Sequence, residues 1–237
     1  MLRARANECA PFENVYTLAL RGLHDRAMNA SNDMADRKQM LQDALMAQRK
    51  MLIDATGKRG EDIPQAFTPY KEVLDVYDEG LELPDDVTII WPDDNYGYMK
   101  RLSSPKEQKR SGRSGVYYHS SYLGKPHDHL WMNTTSPTLM YEELRKAYDM
   151  TADRIWLLNA GDIKSCEFAV DFFLSMAYDI DSFNFDRAAT YRTEWLCGML
   201  GDEYRNEYQD VINSFYKLAF ARRPEFMGCL LYTSPRP

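Results

Sequence analysis

The 237-residue chain is poor in cysteine and histidine, with four of each. Cys9, Cys166, Cys197 and Cys229 lie far apart and show no CxxC spacing, so neither a structural zinc site nor a disulfide framework is indicated. Free, mostly buried thiols are expected. Long apolar runs are missing as well: none approaches the roughly 18 to 20 residues that a membrane helix needs. There is no excess of basic charge either. The formal net charge is −7, which argues against a general nucleic-acid or anionic-membrane surface. The amino terminus, Met-Leu-Arg-Ala-Arg-Ala-Asn-Glu-Cys-Ala-Pro, has no long apolar core after its arginines and does not read as a secretory signal. No Gly-x-Ser-x-Gly elbow is present to support Ser-His-Asp hydrolysis.

What is present centres on residues 87–97, Val-Thr-Ile-Ile-Trp-Pro-Asp-Asp-Asn-Tyr-Gly. Its first four residues are β-branched and suit a strand buried on both faces, hence an internal strand of a parallel sheet. Pro92 and the run Asp93, Asp94, Asn95 then take the chain out of the sheet, where two adjacent carboxylates appear. A polar turn would look the same, but the carboxyl end of a buried parallel strand is also where α/β folds place their chemistry.

The flanking chain repeats this design. Residues 14–20 read as a strand ending in Arg21, His24 and Asp25; residues 115–118 read as one ending in His119; residues 155–158 read as a buried strand ending in Asn159 and Asp162. Between them, residues 34–55 carry an apolar face at helical spacing, residues 71–77 a short helix, and Ser136 or Thr138 can cap another helix with Glu142 and Glu143 in its first turn. A further helix begins near Ser165. Residues 100–113 are a basic, polar loop or short helix, and residues 120–134 a loop. Alternating strands and helices make a parallel sheet covered by helices, and four polar strand ends suggest one active-site face, as in a (β/α)8 barrel. Beyond Asp181 only helical period remains, with a break expected after Gly201.

The segments 16–25, 85–97, 113–119 (Arg-Ser-Gly-Val-Tyr-Tyr-His), 131–134 (Trp-Met-Asn-Thr) and 154–168 (Arg-Ile-Trp-Leu-Leu-Asn-Ala-Gly-Asp-Ile-Lys-Ser-Cys-Glu-Phe) together resemble glycoside hydrolase family 115, the xylan α-1,2-glucuronidases. The resemblance runs from about Tyr16 to about Gly228. It implies an α/β fold in which residues 1–180 are an incomplete (β/α)8 barrel, residues 181–229 begin an α-helical bundle, and residues 230–237 are a non-native tail. It also implies removal of glucuronic acid, or its 4-O-methyl ether, from glucuronoxylan with inversion and without a metal or organic cofactor. A homodimer and a periplasmic or extracellular location are implied for the full-length enzyme. About five strands are visible where a barrel needs eight, so impaired activity is expected of this chain.

Inverting hydrolysis needs a protonated acid at the leaving oxygen and a carboxylate activating water, about 6.5 to 9.5 Å apart. Adjacent Asp93 and Asp94 point differently, so one of them, Asp93 first, is expected to pair with a carboxylate from another strand end, Glu167 or Asp162. Glu167 could instead complement the helix dipole, and Asp162 could cap that helix. A uronic acid brings its own carboxylate, for which Arg21, His24, His119 and Lys164 are the available donors. Asp25 shares the strand end with His24. Asn159, Asn133 and Tyr118 are candidates for sugar hydroxyls, and Trp91 or Trp131 for stacking, with ordinary packing as the alternative. His127, Asp128 and His129 are too close in sequence to chelate alone, so no metal site is expected.

Overall fold

The computed structural model describes residues 2–22, 27–28, 33–124, 127–130 and 133–224. In chain order the helices are α1 (Leu2–Cys9), α2 (Met34–Thr56), α3 (Glu72–Asp78), α4 (Pro137–Asp149), α5 (Ile163–Tyr178), α6 (Phe185–Leu200) and α7 (Arg205–Ala221). The strands are β1 (Tyr16–Thr17), β2 (Gln65–Phe67), β3 (Thr88–Pro92), β4 (Ser114–His119), β5 (Tyr122–Gly124), β6 (His127–Leu130) and β7 (Trp156–Asn159). Five form one sheet in the order β1-β2-β3-β4-β7, and β5 pairs with β6 as an antiparallel hairpin.

β3 is internal, as its β-branched run predicts, and every one of its residues is buried. It runs parallel to β2, with Phe67 opposite Ile89. The ladder to β4 advances in the same direction on both strands, Ile89 donating to the Arg113 carbonyl and Asp93 to that of Tyr117. From β4 to β7 the rule repeats, Val116 donating to Ile155 and Ser120 to Asn159. Pro92 is tolerated for a definable reason. Odd residues of β3 donate towards β4, and β2 ends opposite Ile89, so the N–H that Pro92 lacks has no ladder partner to serve. Five parallel strands with intervening helices are compatible with an incomplete (β/α)8 barrel.

By packing, the chain divides into two compact units, one of Met1–Pro92, Arg101–Val116 and Met150–Ile155, the other of Asp93–Lys100, Tyr117–Asp149 and Trp156–Pro237. The first is built around α2. Asp33 caps it by accepting from the Ala35 N–H, Gly57 ends it at φ 67°, and Leu41, Leu45 and Leu52 form its buried stripe. In the second, Phe172, Phe173 and Met176 of α5 are buried, as are Met140 and Leu144 of α4 and Tyr118 of β4. Each such side chain contributes roughly 1.5–3 kcal/mol by leaving water. α6 packs on α4 and α7, and Gly201 at φ 93° separates the last two helices.

Several elements differ from expectation, while the cysteines follow it. The first strand shrinks to Tyr16–Thr17, because its partner β2 is itself three residues long. α1 and the β5–β6 hairpin were not foreseen, the former because its residues carry only a weak apolar face. β7 is not buried: it ends the strand order, and Leu157 is 43% exposed. Cys166 and Cys197 are buried free thiols, and Cys9 is partly exposed.

Candidate functional site

The segment after β3, Asp93–Lys100, belongs to the second unit and makes a polar arrangement with the end of β4. The backbone of Asp93 is still in the ladder, while its side chain turns to β4. One carboxylate oxygen accepts the His119 backbone N–H at 3.0 Å, and the other lies 2.6 Å from His119 Nδ1 and accepts the Asn95 N–H at 3.0 Å. Both side chains are buried. An ionised carboxylate only accepts hydrogen bonds, so with Asp93 charged Nδ1 is the donor and the tautomer of His119 is set.

Strand alternation decides what surrounds this pair. Tyr117 and His119 share a face of β4, with ring centroids 4.5 Å apart, and Asn159 of β7 donates to the Tyr117 hydroxyl at 3.1 Å. Tyr118 points the other way. Its ring stacks on Phe173, and its hydroxyl donates to the Gly97 carbonyl at 2.9 Å. Burial, with the charges of Asp93 and Glu143, holds that hydroxyl's pKa well above the usual 10.

Asp94, half-exposed, organises the loop beyond. Its Oδ1 accepts the N–H groups of Tyr96 at 2.8 Å and Tyr98 at 3.1 Å, and its own N–H donates to the Tyr98 carbonyl. Positive φ at Asn95 (72°) and Gly97 (102°) lets the chain double back, and Asp93 bridges to Met99. Outside contacts hold the loop in place. Glu143, itself paired with Lys146, accepts the Met99 N–H at 2.8 Å, and Arg223, beyond α7, donates to the Tyr96 carbonyl at 2.5 Å and to Thr135 Oγ1 at 3.3 Å. Between the loop and the end of α7 lies a cavity of about 650 Å³, lined among others by Asp94, Tyr96, Tyr98, Tyr216, Arg222 and Arg223.

The other expected residues fall elsewhere. Glu167 lies 2.8 Å from Lys164 one turn away on α5, on an open cleft that shares no lining residue with the Asp94 cavity. Asp162 is exposed at the start of α5, where its side chain makes no capping bond. Asn133 is half-buried at φ 53°. Trp91, a candidate for stacking or for ordinary packing, is fully buried: its indole N–H donates to Ser103, Tyr77 meets its edge, and Arg101 lies 4.4 Å over its ring. Arg21 belongs to the first unit, where its guanidinium grips Glu72 through two bonds of 3.2 Å. His24, Asp25 and Trp131 lie outside the described residues, as do the side chains of His127, Asp128 and His129.

Two residues of the site were missed. Tyr117 was legible, since alternation puts it, and not Tyr118, on the face of His119. Arg223 had no local signal: Arg-Arg-Pro after a helix reads as an ordinary basic end.

The model of glycosyl hydrolase family 115 matches residues 1–226. The chain belongs to this family. Among solved structures, a family 115 4-O-methyl-α-glucuronidase with specificity for decorated arabinogalactans is 41% identical and superposes with a TM-score of 0.89. The match covers 95% of this chain and 30% of that one, so the chain spans less than a third of its relative. No curated protein matches. The motif that ends β3 lies within the matched residues.

Proposed function

We propose that the protein containing this chain removes α-1,2-linked glucuronic acid, or its 4-O-methyl ether, from a plant polysaccharide by inverting acid/base hydrolysis. Glucuronoxylan is the substrate favoured by the sequence resemblance; a decorated arabinogalactan is that of the similar solved structure. The observation that carries the reading is the buried Asp93–His119 bond at the carboxyl ends of β3 and β4, which leaves Asp94 as the half-exposed carboxylate of that strand end. Asp93 is then the residue that positions His119. Asp94 acts as one member of the catalytic pair, with Glu167 or Asp162 as the partner.

In the reaction, water attacks the anomeric carbon and gives its proton to the basic carboxylate. The glycosidic C–O bond breaks, and the leaving oxygen takes the proton of the acid. Two carboxylates and water suffice, without a metal or organic cofactor. Tyr117 and Asn159 stand beside His119 to meet sugar hydroxyls. Residues 181–229 as the start of a larger helical bundle, a homodimer of the full-length enzyme and a periplasmic or extracellular location complete the reading. Among the described residues no helix is long and apolar enough to cross a membrane.

The test is NMR of the first product released from glucuronoxylan fragments and from glucuronidated arabinogalactan. Initial release of the β-anomer of the sugar acid, lost in Asp94→Asn, supports the reading; the α-anomer overturns inversion. Binding of either polysaccharide without release would identify a non-catalytic carbohydrate-binding form instead.

A further inference from the structure

The direction of the Asp94 carboxylate is set by a loop that is anchored from outside. Both internal bonds of that carboxylate fall on one oxygen: Oδ1 accepts the N–H groups of Tyr96 and Tyr98 at 2.8 and 3.1 Å, so where Oδ2 points follows from the conformation of residues 95–98. Asn95 stands at φ 72°, a region few residues other than glycine occupy, and Gly97 at 102°. Three groups from other elements grip this turn. Tyr118 of β4 donates to the Gly97 carbonyl, Glu143 of α4 accepts the Met99 N–H, and Arg223 donates to the Tyr96 carbonyl at 2.5 Å. The last two bonds are charge-assisted, which makes each about twice as strong as a neutral one. Glu143 acts where the loop ends. Arg223 acts at the peptide between Tyr96 and Gly97, in the middle of the span whose two N–H groups hold Oδ1. The arginine is itself held, donating to Thr135 Oγ1 at 3.3 Å with its guanidinium 5.8 Å over the Tyr96 ring. Gly97 lies so close to Thr135 that an added Cβ would come within 2.8 Å of Thr135 Cγ2, so the turn is caught between Thr135 and the arginine. Pro224 disfavours helical backbone at Arg223, which takes that residue off the line of α7.

We propose that Arg223 is a positioning residue for hydrolysis: from beyond α7 it fixes the Tyr96–Gly97 peptide, and through that peptide the aim of Asp94 Oδ2. The inference rests on the glycosidase reading above, in which Asp94 belongs to the catalytic pair. In this role Arg223 changes the rate only through Asp94. A reacting group misplaced by about 1 Å costs on the order of a hundredfold in rate, so a brace on its loop is worth a measurable part of turnover.

Turnover of glucuronoxylan fragments by the protein that contains this chain is measured for Arg223→Ala, Arg223→Lys, Asp94→Asn and the double variant of Asp94→Asn with Arg223→Ala. Arg223→Ala is expected to lower kcat by about tenfold to a hundredfold with KM within about threefold of the parent, and Arg223→Lys, which keeps a charged donor but not the fork, to recover part of the loss. In the Asp94→Asn background the same Arg223→Ala change is expected to lower kcat by less than about twofold, because the group it aims is gone. A merely structural role gives the full loss in both backgrounds; that result, or a loss confined to KM, overturns the inference. Hydrogen exchange at the Tyr96 and Tyr98 amides is followed on the same samples and needs no substrate. It is expected to quicken about tenfold in Arg223→Ala while exchange in β3 is unchanged. Quickened exchange with no turnover in the parent keeps Arg223 as the brace of the loop while removing the hydrolase reading. Parental turnover with both exchange and kcat unchanged in Arg223→Ala removes the inference alone.

Discussion

Asp93 Oδ1 and His119 Nδ1 lie 2.6 Å apart with both side chains shut away from solvent, and the second oxygen of Asp93 holds the backbone of the same histidine. One carboxylate therefore ties two neighbouring strand ends together. Asp93→Ala leaves a buried imidazole and a buried N–H without their acceptor and is expected to cost about 3 kcal/mol of stability. Asp93→Asn, which keeps the shape and one acceptor, should cost less. Urea unfolding midpoints at constant m-value check both.

Asp94→Asn makes the opposite prediction. The amide oxygen can still accept from Tyr96 and Tyr98, so stability should stay within about 1 kcal/mol of the parent, while loss of the carboxylate should lower turnover by about a hundredfold or more. Asp93→Asn and Asp94→Asn assayed side by side separate the positioning role from the chemical one. Equal stability losses in the two variants would contradict the assignment.

Gly97 has a double constraint. At φ 102° an L side chain is strained, and a Cβ there would come within 2.8 Å of Thr135 Cγ2 and 2.9 Å of the Tyr118 hydroxyl. Gly97→Ala is expected to destabilise by about 2 kcal/mol or more. Thermal unfolding measures the loss, and Gly57→Ala provides a comparison at positive φ (67°) with nothing within 4 Å of the added Cβ.

The alkaline limb of the stability curve should report on Tyr118. Its phenol pKa is raised above 10 by burial first and then by nearby carboxylates, so the folded state retains a proton that the unfolded chain releases above pH 10. Its contribution is complete below pH 10 and is lost as pH rises further. Tyr118→Phe cannot ionise and should decline less steeply above that pH, although it begins less stable for want of the bond to Gly97. Tyr77, raised by burial and Glu107, shifts in the same sense, so some alkaline slope will remain. Unfolding midpoints from pH 8 to 11 give the two slopes.

Legibility followed the range of the interactions. The β-branched run before Asp93 was enough to place an internal strand, and the capped apolar stripe of α2 enough to place a helix, because both depend on neighbouring residues. The inward turn of Asp93 was not legible, since its partner His119 lies on another strand. Between stacking and ordinary packing, Trp91 was left open on the same account: its indole is claimed by Ser103, Tyr77 and Arg101, contacts that only tertiary packing makes. Tyr117, not Tyr118, shares the face of His119, and period-two alternation from His119 already separates them.

The bond from Arg223 to Tyr96 joins positions 127 residues apart. A ribosome adding about 5 to 20 residues per second produces the Asp94 loop well before the arginine that braces it. The emerging polypeptide can pair Asp93 with His119 early, yet the wall of the cavity beside Asp94 waits for α7 to leave the exit tunnel. Completion of that wall thus becomes a matter of timing during translation, with the end of α7 as its closing step.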